Sequence, residues 1–319
     1  MLVLFFLLAG ALLWKIAFNA RVYVYGAARE CLKAYVVAGA WQMEKLTSDH
    51  FYLKYWPENR AEAEMVLETA ERFYGPVAED FSFKPRGKIP VILYQSREEL
   101  NYSFGWEATE SAMGVYWAGA IRVLSPREWI DEKDPARVRE LFASSGPMAH
   151  EFTHLAVDYR TGGNYPRWFT EGVAQYEEYK LTGFHFNDPS GSLNKKLYSM
   201  EDLTGGFDEL PNQSLAYRES FAAVSYIVNV YGEDMLHKLV RQLGLSRDFD
   251  SALQEVLGIG TEELETRWQA WAMENQDPDG QISLAIYALT LDSYSETWLS
   301  KERINFFNVT KNCKKGRNK

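Results

Sequence analysis

The sequence predicts an α+β fold, with a mixed β-sheet subdomain first, a central helix bearing two histidines, and an all-helical C-terminal subdomain. Three observations carry this prediction. Runs rich in β-branched and aromatic residues, at 50–56, 88–94 and 115–124, all fall before residue 125. A helix-compatible stretch near 147–161 places His150 and His154 four residues apart. Beyond residue 216 the apolar residues recur only at helical spacing, as at Phe221, Val224, Ile227 and Val228.

Composition narrows the class. The chain has 319 residues, 46% of them hydrophobic and 24% charged, enough to bury a large core and to build two packed units around the two-histidine helix. A formal charge of -10 with no basic stripe excludes a nucleic-acid footprint. Cys31 and Cys313 are the only cysteines, which excludes a disulfide scaffold. Two free thiols are expected, with one bridge between the termini as the alternative.

Residues 2–14 are 13 apolar positions in a row, ended by Lys15. A membrane-spanning helix needs about 20 residues, so this run fits the apolar core of a signal peptide better, although no positive charge precedes it. It extends through Ile16, Ala17 and Phe18 if Lys15 or Arg21 snorkels to the interface. Gly26-Ala27-Ala28 is the best cleavage site. Residues 1–30 are therefore read as a signal or membrane-anchor segment and the protein as membrane-anchored or secreted, with a buried core helix as the competing reading. Lys15, Arg21, Arg29 and Lys33 oppose export, since basic residues hold the following chain inside.

From residue 45 the elements follow in order. The strand at 50–56 ends in the turn Pro57-Glu58-Asn59, and a helix over 60–79 follows with Ala63, Met65, Val66, Ala70, Phe73 and Val77 at near-helical spacing. Ser96 caps a short helix after the strand at 88–94. Val115-Tyr116-Trp117 and Ile121-Arg122-Val123-Leu124 bracket Ala118-Gly119-Ala120 as a hairpin. A strand just before the histidine helix is placed to pair with an extended peptide, or is simply a core strand. Residues 133–146 form a helix from Pro135 to Gly146, leading into the next.

That next helix contains His150-Glu151-Phe152-Thr153-His154, entered at Pro147 and stopped by Gly162-Gly163. Two imidazoles on one helical face can hold one metal ion, and Glu151 beside them can take a proton from a water that the metal activates. The chain has only five histidines, so this spacing around a glutamate is poorly explained by chance. Asp158, four residues on, either orients a ligand imidazole or is a plain surface carboxylate. A catalytic Zn2+ site needs a third protein ligand. Positions 157 and 160 are Val and Arg, which closes the route through a nearby third histidine. The next helix, from Tyr165-Pro166-Arg167-Trp168-Phe169-Thr170, offers Glu171, with Gly172 and Ala174 permitting close approach to the histidine helix. Glu177 and Glu178 compete for that role or are exposed charges.

At this point the chain resembles the gluzincins, zincin metallopeptidases with a glutamate third ligand, and specifically the peptidase MA-like families. The resemblance rests on HEFTH, on PRWFTEGVAQYEE and on the helical region that follows, and it covers roughly 48–275. It implies a zincin-like fold in which His150, His154 and Glu171 bind Zn2+ and Glu151 polarises water. It also implies a tyrosine from the helical, C-terminal side of the cleft to hold the developing oxyanion. Tyr217 is the best match, with Tyr226 and Arg218 competing.

The expected organisation is a signal or anchor segment at 1–30, a catalytic subdomain at 45–180, a helical subdomain at 181–275 and a tail at 276–319. Within the helical part, helices are expected at 216–231, 233–243, 252–256 and 262–271. His50 has no motif to recommend it as a ligand, and His185 lies in a loop that either rims the cleft or merely connects. The function expected is peptide-bond hydrolysis on a peptide or protein substrate, without nucleic acid and with membrane association through the N-terminal segment. Oligomeric state is left open. The competing reading is a noncatalytic zinc-binding envelope or cell-surface protein that keeps the fold, against which the intact Glu151 argues.

Overall fold

A computed structural model describes residues 2–106, 112–185, 188–277 and Ile282, with the backbone alone for 2–19. Five strands form one mixed sheet in the order β1-β2-β3-β5-β4. Strand β1 (Glu44–Thr47) pairs antiparallel with β2 (Phe51–Tyr55), whose Phe51, Leu53 and Tyr55 point into the core. The helix α2 (Arg60–Asp80) carries the chain over to β3 (Ile89–Tyr94), parallel to β2 and buried along its whole length. Burial on both faces explains the unbroken apolar run IPVIL.

Ser96 accepts a hydrogen bond from the Glu99 amide and caps α3 (Arg97–Phe104), as expected of a serine at that position. The hairpin follows. Strand β4 (Gly114–Trp117) lies on the open edge, antiparallel to β5 (Ala120–Leu124), which runs parallel to β3. Helix α4 (Pro135–Ser145) starts with the Asp134 carboxylate accepting from the Ala136 amide. Helix α5 (Met148–Thr161) packs against β4 and β5 of the sheet, and α6 (Arg167–Thr182) packs on α5. The short α7 (Met200–Gly205), which the apolar pattern did not signal, precedes α8 (Gln213–Tyr231), α9 (Glu233–Leu243), α10 (Phe249–Leu257) and α11 (Thr261–Glu274). A mixed sheet followed by helices alone is the α+β, zincin-like arrangement expected, and one apolar core runs from Phe51 on β2 through Phe152 on α5 to Trp268 on α11.

The N-terminal expectation requires correction. Residues 2–39 form one helix, α1 (Leu2–Gly39). Among the described residues no helix is long and apolar enough to cross a membrane, which overturns the expected membrane anchor and the membrane association through it. The described half of α1 carries Arg21, Arg29, Glu30 and Lys33, and a charge at a bilayer centre costs about 2.5–3.5 kcal/mol. Gly26-Ala27-Ala28 sits inside this helix rather than in an extended cleavage segment. The side chains of residues 2–19 lie outside the described residues, as do Cys313 and nearly all of the expected tail.

Candidate metal centre

The site is made by two helices that meet head to tail. Helix α5 is stopped at Gly162, whose left-handed backbone (φ 63°) lets its amide cap the Asp158 carbonyl. Four residues later Pro166 opens α6, and the reversal lays α6 antiparallel to α5, with Thr170 and Glu171 at His154 and Glu178 at His150. Glu171, one turn into α6, is then carried to the two histidines. Its Oε2 stands 3.3 Å from His150 Nε2 and 3.4 Å from His154 Nε2. Tetrahedral coordination at about 2.0–2.1 Å separates donor atoms by roughly 3.3 Å, so the three fit one small divalent ion such as Zn2+. Among the described residues, His150, His154 and Glu171 form one of two groups whose donor atoms all lie within 4.8 Å of one another.

The surrounding side chains orient these donors. His150 Nδ1 faces Glu178 Oε2 at 3.2 Å, and His154 Nδ1 faces Thr170 Oγ1 at 2.7 Å. Each ring is thus engaged on its Nδ1 side and turns Nε2 to the common point. Arg167 Nη1 holds the second oxygen of Glu171, Oε1, at 3.0 Å. Glu178 is neither an exposed charge nor one of the three converging donors; it is buried against the Nδ1 side of His150. The signal for it was its position seven residues after Glu171, two turns along one face of α6. Arg167, at four residues before Glu171, had the same kind of signal. Thr170 had none beyond adjacency.

Electrostatics tie the group together. Burial opposes a charge on His150, yet the hydrogen bonds and charges of Glu171 and Glu178 together raise its pKa well above the usual range. Burial likewise opposes ionisation of Glu171, and His154, Arg167 and His150 outweigh it, holding that carboxyl well below the ordinary value. Glu151 is buried beside the donors, and its Oε2 accepts a 2.5 Å hydrogen bond from the Tyr116 amide on β4. Its pKa is raised, first by burial and further by the Glu171 charge, against the lowering pull of the two histidines. On α8, Tyr217 has its pKa raised chiefly by the Glu171 charge and then by burial, which sets its ring in the same electrostatic environment. Of its competitors, Arg218 donates to the Asp188 carbonyl and Tyr226 packs with Tyr231 and Trp271.

Two expectations shift. Asp158 touches no imidazole; its carboxylate accepts from Tyr25, Arg29, Tyr116 and Tyr165 instead. Gly172 faces α8 rather than α5, since a Cβ there would stand 2.2 Å from the Ser220 carbonyl oxygen. The other histidines lie elsewhere. His50 bonds Glu71 and stacks on Tyr74, and the His185 ring lies edge-on to Tyr179. His237 belongs to the second group, with Asp80, Glu177 and Glu233. Lys180 already supplies a cation there, pairing with Asp80 and standing 2.8 Å from both Glu177 and Glu233.

Three converging donors with a carboxylate beside them are a constellation that could hold a metal ion. No curated protein matches the chain. Residues 137–274, from the first turn of α4 to the end of α11, match the family model described as Peptidase MA superfamily, and this gluzincin-like segment holds His150, Glu151, His154, Glu171 and Tyr217.

Proposed function

We propose that the protein is a zinc-dependent metallopeptidase of the gluzincin type, hydrolysing peptide bonds with Glu151 as general base. The observation that carries this reading is the placing of one Glu171 oxygen 3.3–3.4 Å from both histidine Nε2 atoms, with the buried Glu151 carboxylate beside them. His150, His154 and Glu171 would hold Zn2+, which when bound supplies Lewis-acid activation of a water and polarises the scissile carbonyl. Glu151 removes the proton from the attacking water and passes it to the leaving amine. A base is most effective when its pKa approaches the working pH, and burial raises that of Glu151 in the useful direction. The Tyr116 amide anchors the Glu151 carboxylate, so the base is held in place before substrate arrives. Tyr217 offers a hydroxyl to the oxygen on which charge develops. The outer edge of β4 can pair with an extended substrate backbone through main-chain groups other than the Tyr116 amide, which Glu151 holds.

The test is cleavage of a diverse peptide library by the parent and by Glu151→Gln, with bound metal measured in both. Glutamine keeps the size and loses the base. Activity should fall by at least about 10²-fold with zinc content unchanged. Equal rates would overturn the mechanism, and tight zinc binding without cleavage by either protein would favour a noncatalytic zinc-binding role.

A further inference from the structure

Asp158 lies seven residues after Glu151, two turns along α5, and is 1% exposed. A carboxylate so buried needs donors and a compensating charge. It has four donors from three other parts of the chain. Its Oδ1 accepts from Tyr25 at 2.5 Å and from Tyr165 at 3.2 Å, and its Oδ2 from Tyr116 at 2.6 Å and from Arg29 at 2.9 Å. Arg29 is the cation among these partners, and both it and Tyr25 belong to α1.

The contact between α1 and α5 is polar and repeats with the helical turn. Arg21, Tyr25, Arg29 and Lys33 are spaced by four; Tyr25, Arg29 and Lys33 face the C-terminal end of α5, and Arg21 reaches the loop that follows it. Arg21 bonds Asn164 at 3.0 Å, and Lys33 donates to the Tyr159 hydroxyl at 3.2 Å. The Arg29 guanidinium lies 3.5 Å over the Tyr159 ring. Directional bonds at each turn set the position of α1 along α5, where apolar packing would tolerate sliding.

Tyr116 is the link to chemistry. Its hydroxyl is held by Asp158, while its own amide holds the Glu151 carboxylate at 2.5 Å. Strand β4 is therefore pinned to α5 at two points about two helical turns, or roughly 10 Å, apart. We infer that Asp158 is a positioning residue for Glu151: held by Tyr25 and Arg29 of α1, it keeps Tyr116 on β4 where the Tyr116 amide orients the base. The inference rests on the peptidase reading only for its effect on rate; the mechanical link from α1 to the Tyr116 amide stands apart from it.

The test uses the full chain with Tyr25→Phe, which loses one hydroxyl, and Arg29→Met, which loses the cation and keeps the stem. Hydrogen–deuterium exchange is followed over Gly114–Trp117, with β2 and β3 as internal references. Because the Tyr116 amide is bonded to Glu151, loosening β4 should speed its exchange by about tenfold in either variant while the references stay unchanged. On any peptide that the parent cleaves, kcat per metal-loaded molecule should fall by a similar factor with bound zinc unchanged. A role confined to holding the fold would lower the melting temperature and leave that rate untouched. Parent-like exchange at 114–117 in both variants would overturn the inference, as would equal deprotection of β2 and β3. If the parent cleaves nothing, the peptidase reading fails and the exchange result still decides the link.

Discussion

Glu178 illustrates what a single side chain contributes around these donors. A metal-binding imidazole is a better ligand when its far nitrogen donates to a carboxylate, and His150 Nδ1 has Glu178 at 3.2 Å. Glu178→Ala should therefore weaken zinc affinity by about 10–100-fold while leaving the three ligands in place, measurable by competition with a chelating dye. Glu177→Ala is the control. Its carboxyl, pushed up to about 8 first by burial, faces Lys180 and the second charged group, so its loss should change stability and leave zinc affinity at the parent value. The two glutamates are neighbours in sequence and differ in function because a helix turns each residue about 100° from the last. Local sequence could mark both as charged; only the packing of α6 against α5 and α9 shows which faces the site.

At the level of elements, the site depends on how α6 is held. Its first turns are clamped between α5, which carries the histidines, and α8, which carries Tyr217. Gly172 is a point of close approach between α6 and α8, and an added Cβ would also meet Val224 Cγ2 at 2.6 Å. Gly172→Ala should cost about 1–3 kcal/mol, seen as a lower denaturant midpoint at constant slope, because backbone has to move to admit the methyl group. A parent-like midpoint would show that the two helices separate more freely than their packing indicates. The glycine was legible in the sequence as a point of close approach. Its partner was not, since α8 lies some fifty residues further along the chain.

Across the whole molecule, the donors join two helices that belong to one continuous core, so binding a metal ion and folding are coupled. A ligand at 100 times its Kd adds about 2.7 kcal/mol to the folded state. Removing the metal with a chelator should lower the melting temperature by about 5 °C or more for a chain of this size, restored by added Zn2+. Glu171→Ala should melt at the same temperature with or without chelator. A chelator-sensitive Glu171→Ala protein would place the third donor elsewhere.

The sequence by itself determined the secondary structure around the site, the α+β order and the residues able to bind a metal. These follow from short-range physics: helical spacing puts His150 and His154 on one face, Ser96 caps the turn it precedes, and Gly119 closes a two-stranded turn. Tertiary structure decided the rest. It turned Glu178 toward His150, gave Asp158 to two α1 side chains and two tyrosines instead of an imidazole, and made of the N-terminal run a helix whose described half docks on α5 through Tyr25, Arg29 and Lys33 and on the loop after it through Arg21. Those outcomes depend on partners that other elements bring in, some of them more than a hundred residues away along the chain, and a buried carboxylate takes whichever donors the fold brings within about 3 Å.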